Sequence, residues 1–278
     1  MPSERAVGVI GLGLVGRALA SRLGDAGFEV VGFDVNEKAL RAFEGQKAKS
    51  AGEVARRADR IVLAVFDTSD VEQVAAEAKP KLFIDCTTGD PARMEALARR
   101  LASEGIGYVE APFSGSSDTI RRGEGLMFIG GDSSGCEDLL AAMSPARRHV
   151  GGAGTAARLK LAANLVLGLS RIALAEGMIF AESQGIDRAT FLGLIKGSPA
   201  ASPAALAKGE KMASRRFDAP DSRIRQHLKD VERILEYAAR AGLALPFSEA
   251  HAKLLKEAVA AGDGELDNAA IIRRWRAS

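Results

Sequence analysis

The stretch AVGVIGLGLVGRALA, residues 6–20, constrains this chain more than any other. A short apolar run, 6–10, leads straight into Gly11, and an amphipathic pattern at helical spacing opens after Gly13. Three glycines between a strand and a helix have three separate jobs. The first, Gly11, permits a tight turn; the second, Gly13, lets a pyrophosphate approach the backbone; the third, Gly16, lets helix and strand pack closely. Leu12, Leu14 and Val15 complete the turn, and the helix N-terminus behind it attracts phosphate. The pattern predicts a dinucleotide-binding turn. Asp34 closes the next apolar run, VVGFD, where a carboxylate accepts hydrogen bonds from ribose hydroxyls and repels a 2′-phosphate. The residues after it are Val35, Asn36 and Glu37, with no arginine among them, so NAD is expected in preference to NADP.

Such a turn needs parallel strands beside it, and the first half of the chain supplies them. Apolar runs at 6–10, 29–33, 60–65, 81–85, 107–111 and 126–130 are each bounded by turn residues, with helical patterns such as 15–26 and 91–103 between most of them. That alternation predicts a mainly parallel sheet covered by helices on both faces. Beyond about residue 150 only helical patterns remain: a long apolar one over about 155–184, then 187–196, 203–213, 222–241, 247–261 and 267–275. Gly185, Gly242 and Gly262 stand where helix stops belong. The expected architecture is α/β: a dinucleotide-binding domain over 1–154 and an all-helical domain over 155–278 that begins with a connecting helix. A helix so apolar needs partners on several sides, which favours a homodimer or homotetramer.

Composition narrows the function. A net charge of +2 without a basic block gives no electrostatic case for nucleic acid or an anionic membrane, and RRWR near the C-terminus reads as a solvated helix end. No apolar run is expected to span a bilayer, and MPSERAVGVI has no signal-peptide layout. Cys86 and Cys136 suggest neither a metal pair nor a disulfide, and His149, His227 and His251 are scattered. A cytoplasmic protein with metal-free chemistry is the expectation.

One helix segment stands out. In RLKLAANLVLG, Lys160, Asn164 and Gly168 share a single stripe of an otherwise oily helix. Burying an ammonium costs several kcal/mol unless it is paired or deprotonated, and proton transfer is a reason to tolerate that cost. Two further stretches suit a ligand: DCTTGDP (85–91) offers hydroxyls at a strand's C-terminal end, and EAPFSGSS (110–117) sets Ser114 among small residues.

In this order the stretches resemble the β-hydroxyacid dehydrogenase (3-hydroxyisobutyrate dehydrogenase) family along essentially the whole chain. The family's D-x-S-T-x-x-P matches Asp85 to Pro91, its D-A-P-V-S-G-G matches Glu110 to Ser116, and its G-x-G-x-x-x-K-x-x-N-N matches Gly154 to Asn164. Its C-terminal K-D pair is Lys229–Asp230. The resemblance implies a Rossmann domain followed by a helical domain, and hydride transfer between NAD(H) and a small β-hydroxy acid or its semialdehyde or keto partner. It makes Lys160 the general acid/base, with Ser114, Gly115, Ser116 and Asn164 binding a carboxylate-bearing substrate. Val65, Phe66, Thr88 and Lys229 become cofactor contacts. Ala156, Ala163, Thr87, Ser116 and Phe66 depart from the common pattern, and EAPFSGS with KLAANLVLG is closer to the glyoxylate and succinic semialdehyde reductase branch, which uses NADP. Two alternatives stand beside this reading: an imine reductase of the same fold, against which the lysine speaks, and a non-catalytic dinucleotide-binding scaffold. Arg121, Arg122 and Arg225 are candidates to hold a substrate carboxylate in a two-pronged grip.

Overall fold

The structure is a computed structural model that describes Ser3 and residues 5–275; Met1, Pro2 and Glu4 of the N-terminal start and Arg276 of the RRWR run lie outside the described residues. The chain divides into two compact units, Met1–Lys160 and Leu161–Ser278.

In the first unit the strands are β1 (Ala6–Ile10), β2 (Glu29–Phe33), β3 (Gln46–Lys47), β4 (Arg60–Leu63), β5 (Leu82–Asp85), β6 (Gly107–Glu110), β7 (Phe113–Ser114), β8 (Leu126–Gly130) and β9 (Arg147–Gly151). The helices are α1 (Leu14–Asp25), α2 (Glu37–Arg41), α3 (Ala51–Arg57), α4 (Thr68–Glu77), α5 (Pro91–Ser103), α6 (Ser117–Arg121) and α7 (Glu137–Met143). The sheet runs β3-β2-β1-β4-β5-β6-β8-β7, with β9 paired to β8. Its first six strands are parallel, β8 is antiparallel to β6 and β7, and β9 is parallel to β8. β1 and β5 are buried at every residue, which is why they read as unbroken apolar runs rather than alternating ones. On one face Leu19 and Leu23 of α1, Ile120 of α6 and Leu139, Leu140 and Met143 of α7 form a core. On the other, Val54 of α3, Val71 of α4 and Met94, Leu97 and Leu101 of α5 form a second. The order of connection reverses between β1 and β4, the switch point at which doubly wound sheets bind ligands.

Three strands escape the apolar-run criterion. β3 is the exposed pair Gln46–Lys47 at the sheet's edge, β7 is two residues long, and β9 reads RRHVG with exposed side chains. Edge strands bury little, so their sequences carry little apolar signal.

α8 (Thr155–Ser183) runs from the first unit into the second, so the division falls inside this helix rather than ahead of it. Four helices follow: α9 (Arg188–Lys196), α10 (Pro203–Ser214), α11 (Ile224–Arg240) and α12 (Pro246–Ala260). Where an α-helix was expected over 267–275 the chain forms 3₁₀ turns, Asn268–Arg274, opened by Asp267, whose side chain accepts the Ala269 N–H. Contrary to expectation, α8 is long and apolar enough by length and composition to cross a membrane, with a mean hydropathy of 1.4 over its most apolar window, although only 33% of that window is buried.

The second unit also contains a buried ionic cluster. Asp267, fully buried, receives Lys208 Nζ at 2.9 Å, Lys211 Nζ at 2.7 Å and the Asp221 N–H at 3.1 Å. Lys208 also pairs with Asp221, and Lys211 reaches the same carboxylate at 3.3 Å. Its partners hold the Asp267 carboxyl below its ordinary value despite burial.

Candidate active site

The backbone at the fingerprint glycines meets the steric demands their positions predict. Gly11 has φ +89°, and a Cβ there would sit 2.4 Å from the Ala64 carbonyl oxygen. A Cβ on Gly16 would lie 1.7 Å from the Gly11 carbonyl oxygen, so the close pass of α1 over β1 demands glycine. Gly13 is the reverse case: nothing lies within 4 Å of its virtual Cβ. It is also the N-cap of α1, whose first turn carries no capping side chain and no acid. Open space in front of helix amides is what a pyrophosphate needs.

Asp34 is fastened to this turn. Its Oδ2 accepts the Leu12 N–H at 2.6 Å and its Oδ1 the Asn36 N–H at 2.7 Å. It is not a helix cap, because Asn36 caps α2 by accepting the Lys38 N–H at 3.0 Å. Turn, open amides and a carboxylate at the end of β2 together fit a dinucleotide.

The loops after β4 and β5 are tied to each other. The Val65 N–H donates to Thr87 Oγ1 at 3.3 Å, and the Thr87 N–H donates to Asp85 Oδ1 at 2.8 Å. Tyr108 Oη donates to the other Asp85 oxygen at 2.6 Å. Burial, with Asp85 beside it, pushes the Tyr108 phenol well above its ordinary value, so it stays a donor. The Asp90 N–H donates to Thr68 Oγ1 at 2.7 Å, joining the openings of α4 and α5. Thr88 is half-buried within this framework, and Phe66 is 44% exposed. Thr68 was not singled out from the sequence, where nothing marks it beyond a helix start; Thr87 stood out only as a departure from the family's serine, not as a tie between loops.

Ser114 pairs with Leu126 at the end of β7 and is half-buried. Gly115 then turns with φ +154°, and Ser116 Oγ accepts the Thr119 N–H at 3.4 Å as the N-cap of α6. The Ser116 hydroxyl therefore has a local structural task. Of the three arginines, Arg122 pairs with Glu124 at 2.7 Å and Arg225 with Glu265 at 3.0 Å, while Arg121 is exposed.

On α8, Lys160 is 7% and Asn164 6% exposed. Asn164 Nδ2 donates to Asp230 Oδ2 at 2.8 Å, and Asp230 Oδ1 lies 3.3 Å from Lys229 Nζ. Asp230 thus orients Asn164 as well as Lys229, a role its sequence neighbour conceals. Gly168 completes the stripe: a Cβ there would meet His227 Nε2 and His251 Cε1, each at 2.7 Å. The two rings stand 5.0 Å apart, and burial with Arg171 nearby lowers His251 to about 4, so it is neutral near pH 7. The missing side chain is what admits α11 and α12 to α8.

A family model described as the NAD binding domain of 6-phosphogluconate dehydrogenase matches residues 6–151. A second, described as NAD-binding of NADP-dependent 3-hydroxyisobutyrate dehydrogenase, matches 152–275. The probable 3-hydroxyisobutyrate dehydrogenase-like 2, mitochondrial, of Arabidopsis thaliana is 31% identical over 95% of this chain and 91% of its own length. L-threonate dehydrogenase of Cupriavidus necator is 31% identical over 97% of this chain and 96% of its own. Among solved structures, Mycobacterium tuberculosis 3-hydroxyisobutyrate dehydrogenase with L-serine superimposes with a TM-score of 0.83 at 26% identity, covering 100% of both chains.

Proposed function

The chain belongs to the β-hydroxyacid dehydrogenase family and is an NAD(P)-dependent oxidoreductase of small hydroxy acids; from that premise we propose that it uses NAD and that Lys160 carries the proton. The single observation behind the assignment of Lys160 is an amine buried to 7% exposure on the stripe that also carries Asn164. When bound, the dinucleotide supplies the hydride acceptor or donor. The amides opening α1 would hold its pyrophosphate across Gly13 and Asp34 its ribose, and the family pattern assigns Val65, Phe66, Thr88 and Lys229 as further cofactor contacts. By the family pattern Ser114, with the backbone of Gly115 and Ser116, would take the substrate carboxylate, and Asn164 is assigned to substrate binding as well. Lys160 would take the hydroxyl proton in oxidation and return it in reduction, while the hydride chemistry would be the dinucleotide's to supply. Hydroxyisobutyrate and threonate, the acids in the relatives' names, each bear a hydroxyl and a carboxylate a few bonds apart, which supports this substrate class.

NAD preference rests on Asp34, whose carboxylate already sits against the Leu12 amide. Assayed with NAD and NADP against hydroxyisobutyrate, hydroxypropionate, serine, threonate and hydroxybutyrate, and in reduction against glyoxylate, the protein is expected to favour NAD. Asp34→Ser should weaken NADH binding by on the order of tenfold to a hundredfold, as expected for loss of charge-assisted hydrogen bonds, and should narrow the gap to NADPH. A wild-type protein that turns over NADP better than NAD overturns the preference.

Self-association has its own support. Val166 is 62% and Phe180 67% exposed, and Ala173, also exposed, falls midway between them at seven-residue spacing. That period keeps the three on one face of α8, and the occupant we assign to it is a second copy of the chain, giving a homodimer or homotetramer. Light scattering of Val166→Glu/Phe180→Glu should report a smaller species than wild type; an unchanged mass rejects this face. Free, buried Cys86 and Cys136 suit the reducing cytoplasm.

A further inference from the structure

Glu110, at the end of β6, is 1% exposed and forms no salt bridge among the described residues. Its Oε2 accepts the Gly154 N–H at 2.7 Å, at the residue that leads into α8. The amides of Ala156 and Ala157, in the helix's first turn, face the same carboxyl group. The route to this position is kept open by Gly130 on β8, where a Cβ would lie 2.7 Å from Glu110 Oε2. Gly154 itself turns with φ +86°, so the chain enters the helix through one defined hinge. The side chain therefore reaches across from the sheet and accepts the amide that immediately precedes the helix carrying Lys160 little more than a turn later, with the Ala156 and Ala157 amides near it.

We propose that Glu110 is a positioning residue for the reaction, anchoring the start of α8 to the sheet and so setting where Lys160 stands. This rests on the assignment of the proton to Lys160. An anchor at the helix's first turn controls both its rotation and its advance, and an error of about 1 Å in a reacting group costs on the order of a hundredfold in rate.

The titratable groups facing Glu110 are Asp85 on β5 and Tyr108 on its own strand. Burial, reinforced by Asp85, raises Glu110 from 4.5 to about 7 against the opposing pull of the Gly154 amide. The folded value lies above the unfolded one, so this group's stabilisation is complete below about pH 4.5 and is lost as pH rises through about 7. The pocket favours the protonated carboxyl, which keeps an oxygen to accept from Gly154. Glutamine copies that form.

The test compares Glu110→Ala, Glu110→Gln and Lys160→Ala for kcat, substrate KM, NADH affinity, and amide exchange over residues 154–160. Glu110→Ala should lose on the order of tenfold to a hundredfold in kcat with NADH affinity unchanged and faster exchange in that segment, and Glu110→Gln should restore most of both. If Glu110→Ala does not fold, Gly130→Ala, whose Cβ would crowd Glu110 Oε2 at 2.7 Å and also Ala156 Cβ and the Gly152 carbonyl oxygen at 3.1 Å, should disturb the same anchor and give a loss of kcat. Wild-type kcat and exchange in whichever of the two folds overturns the positioning role, even if Lys160→Ala is inactive. Full turnover by Lys160→Ala instead defeats the catalytic assignment on which the proposal stands.

Discussion

Lys160→Ala is expected to reduce kcat/KM by about 10²- to 10⁴-fold, the contribution of a positioned acid/base, while leaving NADH affinity within error of wild type. The separation follows from where the residue lies. The features that fit the dinucleotide are the glycine turn after β1 and Asp34 after β2, and Lys160 belongs to neither. Alanine is the strongest helix former, so α8 itself should persist. Circular dichroism and an NADH fluorescence titration would verify fold and binding, and steady-state rates in both directions would measure the loss. Both directions should suffer together, because one amine gives the proton in reduction and takes it in oxidation. A variant that turned over within a few-fold of wild type would remove Lys160 from the chemistry.

The largest effect on stability is expected at Asp267. Replacing it by alanine leaves Lys208, 3% exposed, without one of its two carboxylate partners, and leaves the Asp221 and Ala269 amides without their shared acceptor. Breaking a buried pair by removing one partner costs about 3–5 kcal/mol, most of it the price of an uncompensated charge. Urea unfolding should show that loss. The sign with pH also follows. Asp267 has a folded pKa below the unfolded value of 3.8, so its stabilisation is present above that value and disappears as pH falls through the folded one. Acid unfolding near and below pH 4 should therefore be shallower in Asp267→Ala than in wild type. A loss of under about 1 kcal/mol would mean that the cluster is neutral relative to its solvated ions.

The parallel strands were legible because burial on both faces writes itself into the chain as unbroken apolar runs; LFID in β5 is buried at all four positions. β3, β7 and β9 left no such mark, being short, polar or at an edge. The glycine turn was legible for another reason: its missing Cβ atoms are demanded by backbone passing backbone, as Gly16 does over the Gly11 carbonyl. Asp34 was found by its place after β2, with a helix cap as the minor alternative that a carboxylate there leaves. Only the hydrogen bonds of Asn36 settled which residue caps α2.

Lys160, Asn164 and Gly168 fell on one stripe by helical spacing alone, so their alignment needed nothing but the chain. Their partners did not. Asp230, His227 and His251 lie far along the sequence and reach the stripe only because α11 and α12 pack on α8 where glycine leaves room. Glu110 is the same case in the first unit, 44 residues from the amide it holds. Periodicity and turn chemistry are local properties, and they gave away the buried parallel strands, the glycine turn and the polar stripe. Which buried polar groups meet depends on long-range packing, because a donor and acceptor distant in sequence find each other only once the helices and the sheet are assembled.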